Sequence, residues 1–325
     1  MIKKPLIIVH GEPNSTFSEI LFRSLRTKKF KKPIIIIGSK QLLELQAKKL
    51  KIKVKLYQIN KNVIGIEKLS TNKIYIVNVN INFNKIFDKI SNRSNNYITK
   101  CFEVAFDLII KKKALALING PISKLHFLKK KHPGMTEFIA KKVSNKIKPV
   151  MLIYNPSFSV CPVTTHLPIK NVSKNLSKNK IFHCVMQIHK FYLNYLKKNP
   201  KFAVLSLNPH GETINKFSEE DKIIKPAIKK LQKNRIKVDG PFSADTFFSK
   251  NNIRKFDIAV GMYHDQVLVP MKTIYNFNAI NLTLGLPFIR ISPDHGPNNE
   301  MLGKNISDPK SLFLSINFFK KLDEN

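Results

Sequence analysis

The chain has 325 residues, 43% of them hydrophobic, so it can bury the core of one large α/β domain or two interleaved ones, and general disorder is excluded. No apolar run reaches the roughly 18 to 20 residues that cross a bilayer, and the apolar part of the opening MIKKPLIIVHGEP is too short for a signal peptide. Charge is the strongest compositional signal, because 57 basic and 21 acidic residues leave a net charge of +36.

A basic excess of this size is typical of proteins that bind nucleic acid or anionic membranes. Only six of the 57 basic residues are arginine, however, and the other 51 are lysines scattered among isoleucine and asparagine. Specific nucleic-acid readers rely on arginine forks and stacking aromatics, so we interpret the charge as compositional drift over solvated faces. A nucleic-acid-binding protein stays open as the alternative outside enzymes, and it predicts steeply salt-dependent binding that histidine substitutions leave unchanged.

Short β-rich runs alternate with amphipathic stretches along the whole chain. Strands are predicted over 5–9, 32–38, 73–79, 114–120, 149–154, 202–207, 256–262 and 278–284. Helices are predicted over 97–112, 136–147, 179–198, 219–234 and 308–322. This alternation predicts an α/β fold with a largely parallel sheet. The Lys/Asn-rich stretches 84–96 and 171–180 are the candidates for loops or domain crossings.

Several common site motifs are missing. The first predicted strand is followed by HGEPNSTFSEIL, which has one glycine where a Rossmann dinucleotide site requires three. GxxxxGK[ST], GxSxG and HExxH are also absent, so any nucleotide must be bound in another way. Cys101, Cys161 and Cys184 are few and widely spaced, which fits core positions in a protein of the reducing cytoplasm.

Four polar clusters at the ends of apolar runs contain a histidine. These clusters are VTTHLP with His166, LSLNPHGE with His210, GMYHDQ with His264 and SPDHGP with His295. One such histidine is more often structural, but three of them beside a turn-forming proline or an aspartate favour a divalent metal site. His166, His210 and His264 would leave one coordination position for water or a substrate oxygen. Asp265 either accepts a hydrogen bond from His264 or faces solvent.

The other five histidines, at 10, 126, 132, 183 and 189, are predicted in a turn, in Lys-rich surface stretches or on a helix face.

A second group of polar residues is suited to binding an anion. Lys272, Asn281 and Arg290 fall at or beside strand ends and turns and could hold a phosphate, and Arg290 is the sharper signal because arginine is rare here. Thr136 begins a helix whose amides could bind an anion, or is an ordinary cap. Asp245 is a candidate acid or base, or an N-cap.

Taken in order from about residue 8 to 300, the polar stretches resemble the 4-hydroxythreonine-4-phosphate dehydrogenase family of pyridoxal phosphate biosynthesis. The stretches that carry the resemblance are HGEPNS, NGPISK, HPGMTEF, VTTHLP, LNPHGE, DGPFSADTFF, MYHDQVLVPMK and INLTLGLPFIRISPDHG. The resemblance implies an isocitrate-dehydrogenase-like α/β fold, in which residues 1–325 form a single catalytic unit of two interleaved α/β subdomains with a cleft between them. It also implies a homodimer whose active site lies at the subunit interface, with metal ligands from both chains.

The resemblance also implies the site residues. The metal ligands would be His166, His210 and His264, with zinc, magnesium or cobalt as the metal. The substrate contacts would be Thr136, Lys272, Asn281 and Arg290. NAD or NADP would bind near Asp294, His295 and Gly296, without a Rossmann glycine motif.

The implied reaction is oxidation of 4-phosphooxy-L-threonine to 2-amino-3-oxo-4-phosphooxybutanoate, which decarboxylates to 3-amino-2-oxopropyl phosphate. Asp245, Lys272 or a bound hydroxide could be the base, and neither nucleic acid nor a membrane is an expected partner.

Four departures from the family pattern stand out. Met135 replaces a histidine, GEPNSTFSE lacks the usual glycines, Pro297 replaces a small hydroxyl residue, and NPHGET is one residue shorter than usual. Of these departures, the one at Met135 bears most directly on the predicted substrate contacts. It keeps open a related dehydrogenase that acts on a phosphorylated sugar acid, threonate or erythronate phosphate.

Overall fold

The computed structural model describes residues 3–26, 30–128, 132, 134–211, 218–276, 278–293 and 296–321. Within these residues, twelve strands and eleven α-helices alternate along the chain, which confirms the α/β class. The strands are β1 Leu6–Val9, β2 Ile34–Gly38, β3 Leu56–Gln58, β4 Ile74–Asn78, β5 Ala116–Asn119, β6 Val150–Tyr154, β7 Ser159–Thr164, β8 Phe202–Leu205, β9 Val238–Phe242, β10 Ile258–Tyr263, β11 Ile280–Leu284 and β12 Ile289–Pro293. The helices are α1 Phe17–Leu25, α2 Lys40–Lys49, α3 Asn95–Ile110, α4 Met135–Val143, α5 Val172–Asn175, α6 Lys178–Leu196, α7 Lys225–Lys233, α8 Ala244–Phe247, α9 Lys250–Ile253, α10 His264–Tyr275 and α11 Lys310–Lys321.

The chain divides into two compact units. The first unit comprises Met1–Ile147 and Leu286–Glu324, and the second comprises Lys148–Gly285. The chain therefore leaves the first unit after Ile147 and returns to it at Leu286. The stretches 84–96 and 171–180, predicted as possible domain crossings, each lie inside one unit.

The first unit contains a parallel sheet in the order β3-β4-β2-β1-β5-β12. Its inner strands are continuous apolar runs, as expected for parallel strands covered on both faces. Ile7, Ile35 and Phe102 belong to the core on one of these faces. The ends of β1 and β5 approach so closely that a Cβ atom on Gly120 would lie 2.3 Å from the carbonyl oxygen of His10. Only glycine fits at that point of the strand end.

The second unit contains strands in the order β11-β6-β7-β10-β8-β9. Strands β7, β10, β8 and β9 run parallel, whereas β6 is antiparallel to both of its neighbours. Helix α10 follows β10 directly and packs back onto it. A Cβ atom on Gly261 would lie 2.4 Å from Cγ1 of Val267, so the glycine permits this close packing.

All eight predicted strands are present, and the structure adds β3, β7, β9 and β12. The three cysteines are buried and free, which confirms their prediction as core residues. Across the described ranges, no helix combines the length and apolar character that a membrane span requires.

Candidate active site

Four of the candidate site residues follow the carboxyl ends of four neighbouring parallel strands in the second unit. His166 follows β7, His264 follows β10, His210 follows β8 and Asp245 follows β9, and these strands are adjacent in the order β7-β10-β8-β9. Open α/β sheets bind ligands at this edge, since the loops there converge while the helices cover the faces. The prediction that the polar clusters sit at strand ends is confirmed for these residues.

His166 and His264 form a close pair. Their ring centroids are 5.9 Å apart, and both rings line a cavity of about 240 Å³. The pair is fixed at its base because Thr164 and Tyr263 are partners in the β7–β10 ladder, and the Thr164 hydroxyl donates to the Met262 carbonyl oxygen at 2.7 Å. The two imidazoles are therefore held by adjacent strands rather than by a long loop.

Asp265 orients the ring of His264. The distance between His264 Nδ1 and Asp265 Oδ1 is 2.6 Å, and Asp265 itself is 76% exposed. An ionised carboxylate can only accept, so Nδ1 carries the proton and the lone pair of the neutral ring lies on Nε2. A carboxylate that fixes the tautomer in this way is typical of histidines that bind metals. Both alternatives of the sequence analysis hold, because Asp265 accepts from His264 and also faces solvent.

The His166–His264 pair fits a shared divalent ion. Two imidazoles on one tetrahedral ion have ring centroids about 5 Å apart, because metal–nitrogen distances are about 2.0–2.1 Å. The observed 5.9 Å needs only a small adjustment. Among the described residues, however, no group of three or more His, Cys, Asp or Glu side chains could hold a metal within this one chain. The three-histidine site stays a prediction.

His210 lies in a separate arrangement with Asp245. Its Nδ1 is 3.8 Å from Asp245 Oδ2, and the two side chains are 75% and 57% exposed. The Ser243 hydroxyl and the Thr246 amide donate to Asp245, and together with the nearby His210 they hold the pKa of that carboxyl below its usual range. Asp245 is thus a carboxylate at neutral pH, as a base would have to be. The alternative role of Asp245 as an N-cap is wrong, because α8 begins at Ala244 with Ser243 as its N-cap and Asp245 lies in the first turn of the helix.

Gln266 links two of the histidine-bearing strands, a role that its sequence pattern did not predict. Its Oε1 accepts from the Met262 amide at 2.7 Å, and its Nε2 donates to the Ser206 carbonyl oxygen at 2.7 Å. These bonds join the end of β10 to the loop after β8. The buried polar group in the apolar run is therefore satisfied by backbone partners.

The first unit holds a buried arginine suited to an anion. Arg290 on β12 is 1% exposed, its Nε donates to Asn119 Oδ1 at 2.9 Å, and its Nη1 donates to Thr136 Oγ1 at 3.4 Å. Burial lowers the pKa of Arg290 to about 10, with Glu137 opposing that shift. The guanidinium therefore stays charged at neutral pH. Thr136 lies in the first turn of α4, so the predicted substrate contacts Thr136 and Arg290 do meet.

The two other predicted substrate contacts belong to the second unit. Lys272 is exposed on α10, about two turns after His264. Asn281 is half-buried on β11, and its Oδ1 is buried without a hydrogen bond from any described residue. A buried amide oxygen of this kind is a suitable acceptor for a ligand hydroxyl or ammonium group.

The predicted cofactor segment is described only in part. Asp294 and His295 lie outside the described residues. Gly296 is exposed, and a Cβ atom built on it would meet nothing within 4 Å. The next residue contacts the first loop, because the Thr16 amide donates to the Pro297 carbonyl oxygen at 3.1 Å. Two of the departures from the family pattern, the loop without its glycines and Pro297, are therefore in direct contact.

His10 was predicted to lie in a turn and is instead completely buried at the end of β1. Its Nδ1 is 2.9 Å from the Tyr97 hydroxyl, and its Nε2 is 2.8 Å from the Ser18 hydroxyl. Burial lowers the pKa of His10 to about 4. This burial arises because α3, which carries Tyr97, packs over the strand end, and a local turn pattern cannot reveal it.

Comparisons with known proteins identify the family to which this chain is similar. Residues 29–318 match the family described as pyridoxal phosphate biosynthetic protein PdxA. A 4-hydroxythreonine-4-phosphate dehydrogenase from Sulfurihydrogenibium sp. (strain YO3AOP1) is 37% identical over 316 residues, which cover 96% of each chain. A relative from Oceanobacillus iheyensis, provisionally named a D-threonate 4-phosphate dehydrogenase, is 32% identical over 327 residues and 97% of each chain.

A solved structure shows the same fold. It is provisionally named a 4-hydroxythreonine-4-phosphate dehydrogenase from Salmonella typhimurium, is 26% identical, and aligns with a TM-score of 0.83 over 98% of this chain and 99% of that one. The isocitrate-dehydrogenase-like α/β fold expected from the resemblance is confirmed. The protein belongs to the PdxA family of pyridoxal phosphate biosynthetic proteins.

Proposed function

We propose that this protein oxidises 4-phosphooxy-L-threonine to 2-amino-3-oxo-4-phosphooxybutanoate, using NAD or NADP and a divalent metal ion. The product then loses carbon dioxide to give 3-amino-2-oxopropyl phosphate. The observation that carries the proposal is the His264–Asp265 hydrogen bond beside His166, because Asp265 occupies Nδ1 of His264 and leaves Nε2 as the nitrogen that could bind a metal. The two units would act as one catalytic unit over residues 1–325.

His166, His210 and His264 would hold the metal, which supplies Lewis-acid polarisation of the substrate hydroxyl, while the nicotinamide accepts hydride. Arg290 and Thr136 would bind the phosphate, because Arg290 is buried, charged and already oriented by Asn119. Fixing the phosphate orients the reacting carbon, and orientation contributes several kcal/mol to catalysis.

Lys272 and Asn281 would contact the remainder of the substrate, and the buried Asn281 Oδ1, which has no hydrogen bond from the described residues, suits its ammonium or hydroxyl group. Asp245 or Lys272 would accept the hydroxyl proton. Asp245 has the lowered pKa of a persistent carboxylate, which makes it an acceptor at neutral pH but a weak base. The segment Asp294, His295 and Gly296 would lie near the nicotinamide cofactor.

The active enzyme would be a homodimer with its active site at the subunit interface. Two observations support this. The third histidine does not join His166 and His264 among the described residues of one chain. Apolar side chains are also exposed next to the cavity of this pair, with Ile169 69% and Leu167 41% exposed. Exposed apolar surface beside a site is typical of a surface that a partner covers. Light scattering measures the assembly directly.

The first experiment is to follow the absorbance of reduced nicotinamide with 4-phosphooxy-L-threonine, NAD or NADP, and added zinc, magnesium or cobalt. We expect reduction that a chelator abolishes, and we expect H166A, H210A and H264A to lose both bound metal and turnover. H189A is a matched control, because His189 lies on α6, away from the carboxyl ends of β7, β8 and β10, and its Nε2 is 3.3 Å from Asn199 Oδ1. Full activity of H264A after metal depletion would refute the site.

A dehydrogenase of a phosphorylated sugar acid, threonate or erythronate phosphate, is the second candidate. The Oceanobacillus relative with that name matches over 97% of the chain. Met135 also keeps this candidate open, because it stands in place of a histidine of the family pattern and directly precedes Thr136 in α4. Turnover of D-threonate 4-phosphate without turnover of 4-phosphooxy-L-threonine would decide for this candidate.

A further inference from the structure

The loop that presents His210 has an unusual backbone. His210 has φ +58° and lies in the turn Pro209–Gly211 that follows β8. Residues with a side chain adopt this left-handed conformation at a cost of roughly 1–2 kcal/mol, so the surrounding structure must hold it. The side chain is 75% exposed and packs against little that could hold it. Among the described residues, hydrogen bonds to the backbone of the loop before the turn are the strongest constraint on its conformation.

Glu220 supplies much of that constraint. Its carboxylate is 1% exposed, and Oε1 accepts from the amides of Leu207 at 2.8 Å and Asn208 at 2.9 Å. Its Oε2 accepts from the Asn208 side-chain amide at 2.8 Å. All three bonds reach residues that immediately precede the His210 turn. A buried carboxylate with three charge-assisted bonds is a strong anchor for a loop.

Glu219 connects the same loop to the neighbourhood of His166. Its Oε2 accepts from the Asn208 side-chain amide at 3.0 Å, and its Oε1 accepts from the Ser173 hydroxyl. Ser173 lies on α5 next to Val172, which lines the cavity of the His166–His264 pair. The Asn208 amide therefore bridges two carboxylates, and through them it links the His210 loop to the wall of the cavity.

We propose that Glu220, acting with Glu219 through Asn208, is a positioning residue that fixes His210 for metal binding. This inference rests on the proposed function, because it takes His210 to be a metal ligand. Glu220 does not itself touch the metal or the substrate. Its role is to keep the turn in the one conformation that presents the imidazole.

E220Q tests the inference by a near-isosteric change. The side-chain oxygen of the new glutamine can still accept from the Leu207 and Asn208 backbone amides. The NH2 group of the glutamine then faces the NH2 group of the Asn208 side chain, and two donors cannot form a hydrogen bond. Asn208 cannot relieve this by rotating its amide, since its oxygen would then face the Glu219 carboxylate. We expect Co²⁺ to bind E220Q about 10-fold more weakly than the wild type, as for other partners that orient metal ligands, with an altered visible Co²⁺ spectrum.

Two controls remove a negative charge elsewhere. D221N changes the next residue, whose carboxylate pairs with Lys225 and Ser218 and not with the His210 loop. E19Q removes a carboxylate that is equally buried and also accepts a backbone amide, that of Ser307, in the first unit. Both variants should bind Co²⁺ with wild-type affinity, even where their melting temperatures fall.

The Co²⁺ titration of wild type, H210A and E220Q tests the proposed metal site and the positioning role of Glu220 separately. If the wild type binds no metal, or H210A binds it as tightly as the wild type, the proposed site is refuted. If H210A binds weakly while E220Q binds like the wild type, the site stands and the positioning role of Glu220 is overturned. Should E220Q fail to fold, N208A removes the bridging amide and keeps both carboxylates, and wild-type affinity in N208A overturns the inference equally.

Discussion

Replacing His10 with asparagine should make the protein less sensitive to acid. The proton positions around His10 are determined by its neighbours. The Gln46 amide nitrogen donates to two carbonyl oxygens, so Gln46 Oε1 must accept the Ser18 hydroxyl proton, at 2.5 Å. Ser18 can then only accept from His10 Nε2, which leaves Nδ1 to accept from the Tyr97 hydroxyl. This network needs the neutral ring, and a second ring proton would meet the Tyr97 hydroxyl proton.

The magnitude follows from the pKa difference between the folded and unfolded states. Burial lowers the pKa of His10 from 6.5 to about 4, so between these values the unfolded chain binds a proton that the folded chain does not. Stability is therefore full above pH 6.5 and falls as the pH decreases toward 4. The whole shift corresponds to about 3 kcal/mol, of which about 2 kcal/mol is lost between pH 7 and pH 4.5.

Urea unfolding of the wild type and H10N at pH 7 and pH 4.5 measures this loss. Asparagine cannot titrate, and its Oδ1 can accept from the Tyr97 hydroxyl in place of Nδ1. H10N should be less stable than the wild type at pH 7, yet it should lose about 2 kcal/mol less on acidification. The other titrating groups are common to both proteins, so their contributions cancel in the comparison. Equal losses in the two proteins would show that His10 is not held neutral and would refute the reasoning.

Two further predictions concern the site. R290K keeps the positive charge but loses the guanidinium fork that donates to Asn119 and Thr136. Steady-state assays should show the KM for the phosphorylated substrate rising roughly 30-fold, which corresponds to about 2 kcal/mol of binding free energy. The effect on kcat should be smaller. R254K, which changes an exposed arginine, should leave KM unchanged. D265N weakens the acceptor of His264 Nδ1, so a Co²⁺ titration should show affinity falling about 10-fold, and unaltered affinity would contradict the orienting role of Asp265.

The sequence predicted the strands well where their apolar runs were continuous. Ile34–Gly38 and Val150–Tyr154 are buried at every position, and such runs are typical of strands covered on both faces. Strand β7 was missed because Pro162 interrupts SVCPVT, and proline normally argues against an inner strand. The structure accommodates Pro162 because β6 pairs with β7 at Val160, before the proline, and the register between β7 and β10 continues past it.

Helix α10 could not be separated from the preceding strand by pattern alone. The stretch VGMYHDQVLVP reads as one apolar run, yet β10 ends at Tyr263 and the helix begins at His264. The change of direction depends on Gly261, which lets Val267 lie against the strand. Proline at position 270, inside the helix, also argued against this assignment.

The site residues divide according to whether their partners are local in the sequence. His264 and Asp265 are adjacent, so their pairing could be proposed from the sequence, and the structure confirms it. Gln266 forms a hydrogen bond to Ser206, 60 positions away, and Glu220 accepts one from Leu207, 13 positions away. Nothing in the local sequence around either residue indicated these bonds. Supporting residues of a site are hard to predict for this reason, whereas candidate ligands that directly follow strands can be proposed from the sequence.

The charge of the chain and the positions of its carboxylates carry different information. Among the described residues, the buried carboxylates are Glu12, Glu19 and Glu220, and each accepts a backbone amide from a loop, those of Asn14, Ser307 and Leu207. Lysine cannot replace any of them, because an ammonium group has no acceptor. The excess of lysine can therefore spread over solvated faces without disturbing these loops. The function of this strongly basic protein is thus better judged from its few buried carboxylates and its one buried arginine than from its net charge.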